Sequence, residues 1–217
     1  MSRIVELRQY TLKPGQRDQL IALFEREFVE SQEAAGIELI GTFRDLDDSD
    51  RFVWLRGIPD MAARARSLSA FYGGPVWKAH REAANATMID SDNVLLLRPA
   101  WNGSDHLENA ANTASPGLVT VTIGQLDASA TEAFVEEFRR AVPRLESTGS
   151  KVLAAFVTEA GPNNFPALPV REGENVFVWI SRLAGADSPP ATGLENLLQG
   201  PPEVLRLLPT ARSRLQA

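Results

Sequence analysis

Cysteine is absent from these 217 residues, and histidine nearly so, with only His80 and His106. Without thiols there can be no disulfide, no thiolate metal site and no cysteine nucleophile. Two histidines are too few for a histidine-rich metal centre, so no metal is expected. No apolar run reaches the roughly 20 residues needed to cross a bilayer as a helix. The opening residues Met1-Ser2-Arg3-Ile4-Val5-Glu6 read as a strand rather than a leader peptide. Positive charge does not predominate either. The formal net charge is −6, which argues against a nucleic-acid or anionic-membrane partner. Neither a Walker nor a dinucleotide-type glycine pattern occurs, and no cofactor is expected. The expectation is a cytoplasmic globular protein.

What the sequence does contain is a motif written twice. Phe52-Val53-Trp54-Leu55 returns as Phe177-Val178-Trp179-Ile180, each reading as a buried strand. The flanking pattern returns with it. Residues 4–12 alternate as a strand, and Pro14-Gly15 ends it. A helix follows with Leu20, Ile21, Phe24 and Phe28 on its apolar face, closed by Gly36. Residues 37–45 and 52–58 form a hairpin about the polar turn Asp45–Asp50. Asp60 caps a second helix, broken at Gly73-Gly74-Pro75 and resuming from Val76 to Met88. Val94–Arg98 is a fourth strand. In the second half Val119, Phe134, Val135, Phe138 and Val142 stand at one constant spacing from Val5, Leu20, Ile21, Phe24 and Phe28. The spacing lengthens before Phe177, which locates an insertion within Gly161–Glu174, and shortens before Val204–Pro209, which leaves little of the second helix. The order βαββαβ is the ferredoxin-like arrangement. The expected organisation is a first repeat over 1–100, a linker over 101–116 and a second repeat over 117–217. The expected fold is α+β, with the two units packed sheet to sheet as an intramolecular α/β barrel and the helices outside.

Glu6-Leu7-Arg8-Gln9-Tyr10-Thr11-Leu12-Lys13-Pro14-Gly15 and Phe71-Tyr72-Gly73-Gly74-Pro75-Val76-Trp77-Lys78-Ala79-His80, with the doubled Phe-Val-Trp, resemble the NIPSNAP family of the dimeric α/β-barrel superfamily. The resemblance implies tandem ferredoxin-like repeats over essentially the whole chain. It implies no single activity, because that superfamily holds cofactor-free monooxygenases, lactone isomerases, polyketide cyclases and haem enzymes. It also implies a cavity between sheet and second helix, lined by Tyr72, Trp77 and His80.

The candidate site residues carry structural alternatives. His80 shares a helix face with Trp77, Ala84 and Met88, and reads either as a general base or as a packed histidine bonding a carbonyl. His106, in the linker, reads as a solvated residue. Gly73-Gly74-Pro75 offers free backbone groups to a ligand or simply joins two helices. Arg8, Tyr10, Arg44, Trp54 and Arg56 fall on the strand faces opposite Val5, Leu7, Leu39, Phe43 and Val53. If the apolar set meets the helices, the polar set points between the sheets, as a lumen for an anionic or carbonyl ligand or as an ion-pair network that fixes the docking. The proline-stiffened insertion reads as a lid, an oligomer contact or a surface flap. Asp45–Asp50 lacks the glycine and glutamate of a calcium loop and reads as a solvated turn.

One functional hypothesis is a small-molecule-binding protein, with a cofactor-independent enzyme of monooxygenase, isomerase or cyclase type on an aromatic or polyketide-like compound as its finer form. His80 would be the base, Tyr72 a hydroxyl donor, Trp77 an aromatic wall, Arg8 or Arg81 an enolate stabiliser, with Tyr10 and Trp54 as further contacts. The alternative is a non-catalytic interaction module. Self-association through sheet edges is expected in either case.

Overall fold

The computed structural model describes residues 3–105, 107, 118–183 and 189–216. Most of the predicted linker, including His106, lies outside the described residues. Strands β1 (Ile4–Leu12), β2 (Glu38–Asp45), β3 (Arg51–Ile58) and β4 (Met88–Pro99) pair in the order β4-β1-β3-β2. Strands β5 (Leu118–Gln125), β6 (Ser150–Thr158), β7 (Val176–Leu183) and β8 (Glu203–Pro209) repeat that order as β8-β5-β7-β6. Each half is thus the ferredoxin-like sheet expected from the doubled motif, with Phe-Val-Trp on β3 and on β7.

The two sheets do more than face each other. Phe43–Asp45 of β2 pairs antiparallel with Leu207–Pro209 of β8, and Leu97–Pro99 of β4 pairs with Phe156–Thr158 of β6. All eight strands therefore close into one barrel. Each of these closing contacts spans three residues, so no edge strand is open along its whole length among the described residues.

The helices lie outside the barrel. Helix α1 begins as Arg17–Leu23, widens into a π-helical stretch at Phe24–Phe28 and ends as Val29–Ala34. Helix α2 (Met61–Gly73) starts at Asp60, whose side chain accepts from the Ala63 amide at 2.7 Å. Gly74 is extended and separates α2 from α3 (Pro75–Thr87). A Cβ there would come 2.9 Å from the Ala70 carbonyl, so the break requires glycine. Pro75 opens α3 where no helical N–H is needed. The Gly-Gly-Pro element is therefore a helix junction. Met88, expected as the end of that helix, instead begins β4, which extends well before Val94. Helix α4 (Thr131–Ser147) covers the second sheet with Phe134, Val135, Phe138 and Leu145. Among the described residues between β7 and β8, only a 3-10 turn, Glu195–Leu197, stands where a second helix would lie. Among the described residues, no helix is long and apolar enough to cross a membrane.

The faces of the strands are the reverse of the expectation. Val5, Leu7, Phe43, Val53 and Leu55 point into the barrel, where they meet Val119, Val121, Phe156, Val178 and Leu207 from the other half. The interior is an apolar core and not a polar lumen. Glu6, Arg8, Tyr10, Trp54 and Arg56 point outward beneath the helices. The physical reason is that a barrel interior can be fully dried by side chains of both sheets, whereas a helix layer can surround charged heads with partners. Strict alternation also fails in β2. A register shift between Leu39 and Gly41 puts Leu39 with the outer cluster, while Ile40 and Phe43 face inward.

Candidate functional site

The outer face of the first sheet is built from cross-strand neighbours. Glu6 pairs with Arg56, Arg8 with Trp54, and Tyr10 with Phe52 across β1 and β3. Alternation on both strands therefore brings two guanidiniums, one carboxylate and three aromatic rings together. Helix α2 adds Arg64. All three arginines and Glu6 are fully buried. Glu6 Oε2 accepts from Arg8 Nη1 at 2.6 Å and from Arg56 Nε at 2.8 Å, and its Oε1 accepts from Arg64 Nε at 2.7 Å. Burial alone would raise the Glu6 carboxyl, but the charges of Arg56, Arg8 and Arg64 outweigh it and hold the group far below the usual range.

The remaining donors reach neutral partners. Arg8 Nε donates to the Tyr10 hydroxyl at 3.1 Å, and Arg56 Nη1 to Gln32 Oε1 at 3.1 Å. Burial pushes the Tyr10 phenol upward, outweighing the opposing pull of Arg8. Arg64 Nη1 donates to Oδ1 of both Asn163 and Asn164, at 3.0 and 2.9 Å. The Arg8 guanidinium lies 5.4 Å from the Tyr10 and Trp54 ring centres, and that of Arg56 lies 5.2 Å from Trp54 and 6.0 Å from Tyr72.

Above this cluster is a cleft of about 330 Å³. Tyr10 forms its floor, Tyr72, Trp77 and Asn85 one wall, and Met88, Ser91 and Asp92 of β4 the other. Its roof is the insertion: Phe165, Ala167, Leu168 and Pro169. Phe165 stacks on Tyr72 at 6.0 Å with rings 25° apart, and Tyr72 meets Trp77 edge-on at 4.9 Å. The insertion therefore lies across from the second half onto the first. Tyr10, Tyr72, Trp77 and Met88 also line a smaller inner chamber of about 30 Å³, completed by Trp54, Gln32, Phe24, Phe28 and their neighbours. The π-helical stretch of α1 supplies both of those phenylalanines, with Phe24 4.9 Å from Trp54 and Phe28 5.5 Å from Trp77.

Of the residues singled out from the sequence, Tyr72, Trp77 and Tyr10 line both cavities, Trp54 lines the inner one, and Arg8 lies against it. His80 lines neither cavity. Its Nε2 faces Glu27 Oε2 of α1 at 3.4 Å, with Phe28 between it and the chamber. Arg81 is exposed on the solvent side of α3. Arg44 pairs with Asp18 at the surface. Asp45 is buried, accepting from the Asp47 amide and pairing with Arg51, which anchors the first residue of a turn whose Leu46, Asp47 and Ser49 are exposed. Sequence reasoning missed Arg64, Gln32, Asn163 and Asn164. Arg64 had a signal: it sits on the apolar stripe of α2 with Leu68 and Phe71, where a charge needs a buried partner.

A larger cavity, about 550 Å³, lies in the second half between α4, β6 and residues 101–104. None of the buried side-chain atoms that lack a hydrogen-bond partner lines it. The first-half cleft, with its charge cluster and aromatic walls, has the chemistry of a site.

This architecture defines an α/β barrel of two ferredoxin-like sheets with one roofed cleft on its outer face. Residues 5–101 match the NIPSNAP family model. The whole fold is similar to that of a candidate monooxygenase from Fusobacterium nucleatum, with TM-score 0.65 and 11% identity, covering 96% of this chain and 92% of the other. A second candidate monooxygenase, from Lactobacillus acidophilus, gives TM-score 0.62 and 13% identity over 96% of this chain and 94% of its own. A NIPSNAP-like domain protein from Burkholderia xenovorans is 28% identical over 43% of this chain and 82% of its own, with TM-score 0.40. No curated protein shows significant sequence similarity to the chain.

Proposed function

We propose that this protein binds an aromatic or polyketide-like small molecule in the cleft between the first sheet and α2–α3, beneath the Gly161–Glu174 loop. The observation that carries the proposal is the cleft of about 330 Å³, with aromatic floor, wall and roof from Tyr10, Tyr72, Trp77 and Phe165. That volume falls at the lower end of small-molecule sites, which are mostly apolar with a few placed polar groups. The likeness in fold to two candidate monooxygenases supports a reaction of that type on the bound ring system. Tyr72 brings a hydroxyl to the cleft, and the reading gives His80 no part in it.

The test is a thermal-shift panel of bicyclic and tricyclic phenols and diketones, with wild type and Tyr72→Ala. A ligand at 100 times its dissociation constant stabilises by about 2.7 kcal/mol. For a chain of this size that is a rise in Tm of about 5–10 °C. Absence of any rise in wild type, or an equal rise in Tyr72→Ala, sinks the proposal.

The second reading, a self-associating interaction module, rests on the exposed Leu46, Val204 and Leu208 on and beside β8, where no second helix covers the sheet. Sedimentation settles that reading: a monomer at all accessible concentrations removes it.

A further inference from the structure

Three buried guanidiniums share one carboxylate. Glu6 satisfies one donor or more of each arginine, and Gln32, Tyr10, Asn163 and Asn164 take others, all of them neutral. The cluster keeps two positive charges beyond what its own anion cancels, in a place water does not reach. Uncompensated charge in such surroundings is costly, and proteins pair it or bring an ion to it. Three donors remain open besides. Arg8 Nη2, Arg64 Nη2 and the Trp54 indole nitrogen are buried without an acceptor among the described residues. Buried donors without acceptors are rare in native structures and call for an explanation.

Their position supplies one. Trp54 is itself a wall of the inner chamber, and the Arg8 and Arg56 guanidiniums lie against Tyr10, Trp54 and Tyr72, three of the rings that enclose it. The chamber has room for an oxygen atom or two, at about 30 Å³, and it adjoins the wide cleft through Tyr10, Tyr72, Trp77 and Met88. Its other polar lining residues are Tyr10, whose hydroxyl accepts from Arg8 Nε, Tyr72, and Gln32, whose amide nitrogen already donates to the Phe28 carbonyl. The acid nearest the ligand's ring system is Asp92, in the outer cleft. His80 and Glu27 face each other beyond Phe28.

We infer that the ligand is a phenolate or an enolate, with its rings in the outer cleft and its single ionised oxygen in the inner chamber, held by the Trp54 N–H and by the excess charge of Arg8, Arg56 and Arg64. The inference rests on the proposed binding cleft and adds the charge state and orientation of what occupies it. One unpartnered indole N–H on the chamber wall matches one ionised oxygen, whereas a carboxylate brings a second oxygen for which the chamber wall offers no second unpartnered N–H among the described residues. An electrostatic environment of this kind favours the ionised form of a bound phenol, since opposite charge close to an acid and a hydrogen bond to its anion both lower its pKa. It would also hold an enolate as it forms, the usual way such sites promote reactions at an adjacent carbon.

The experiment uses 2-naphthol, 2-naphthoate and naphthalene as probes of matched ring size. Each is bound to the full chain by fluorescence titration, and the ionisation of bound 2-naphthol is followed by its absorption across pH. Bound 2-naphthol should ionise at least one pH unit below the free compound, roughly tenfold in the ionisation constant. The shift should shrink in Trp54→Phe, which keeps a ring and removes the N–H, and 2-naphthoate should bind no tighter than naphthalene. The wild-type titration stands alone if that variant does not fold. Naphthol that binds but titrates as it does in free solution, or a preference for 2-naphthoate, overturns the inference and leaves the cleft as a binding site. Failure of all three probes to bind overturns both.

Discussion

Glu6→Gln isolates the electrostatic core of this molecule, because it removes a charge and almost no volume. In the native protein the Glu6 carboxylate is within 2.6–2.8 Å of nitrogens from Arg8, Arg56 and Arg64, all fully buried. With glutamine in its place three guanidiniums face one another with no anion. Breaking a buried ion pair from one side typically costs about 3–5 kcal/mol, a large part of the total stability of an ordinary domain. For a chain of this length the loss corresponds to a fall in Tm of about 6–20 °C. Urea unfolding followed by tryptophan fluorescence should show a lower midpoint with an unchanged slope. The pH dependence gives an independent check. The folded carboxyl titrates far below its unfolded value of about 4.3, so its contribution is complete above that pH and is lost as pH falls toward the folded pKa. Wild type should therefore lose stability below about pH 4 more steeply than Glu6→Gln. Adding Arg64→Met to Glu6→Gln should cost less than the two single changes summed, since it removes one of the stranded cations. A loss under about 1 kcal/mol for Glu6→Gln, or identical acid profiles, would refute the view that one anion holds the three cations together.

Phe165→Ala should cost only about 1 kcal/mol of stability, the scale of an aromatic contact, yet weaken aromatic probes at least tenfold; equal affinities in a binding titration would show that the roof does not touch the ligand. His80→Ala should change stability by under about 0.5 kcal/mol and leave probe binding intact, because its partner Glu27 is partly exposed and the ring lies outside both cavities. A change in probe affinity would return His80 to the site. Gly36→Ala should cost about 1–2 kcal/mol by chemical unfolding, because Gly36 holds φ at +81° and an added Cβ would stand 3.3 Å from Ser67 Oγ. A neutral outcome would mean that the end of α1 relaxes freely.

The doubled Phe-Val-Trp and the regular return of apolar positions made the two ferredoxin-like sheets legible before any coordinates. The residues on each face of β1 were also sorted correctly into two sets. Which set faced inward was not legible, because both faces of β1 are buried and alternation alone does not say which layer is drier. The change of face in β2 arises from a bulge near Gly41 that leaves no mark in a two-residue period. Tyr72, Trp77 and His80 were expected in one cleft from the position of the second helix; Tyr72 and Trp77 line it, His80 does not, and Tyr10, expected between the sheets, joins them from the outer face. Whether the insertion is a lid, an oligomer contact or a flap stayed open, and Arg64 was not singled out, since it meets Asn163 and Asn164 across a hundred residues of chain and no local pattern encodes that contact.

The loop that covers Tyr72 departs from β6, the strand of the second sheet that pairs with β4. Its asparagines fasten it to the same arginine that Glu6 holds. A chain cut between the two halves would leave Trp77 and Tyr72 open to solvent and Arg64 short of two acceptors, even if each fragment still made its own sheet. Whatever enters this protein is thus enclosed by both ends of the sequence at once, and a substitution at Asn163 would be felt by a ring more than ninety positions earlier.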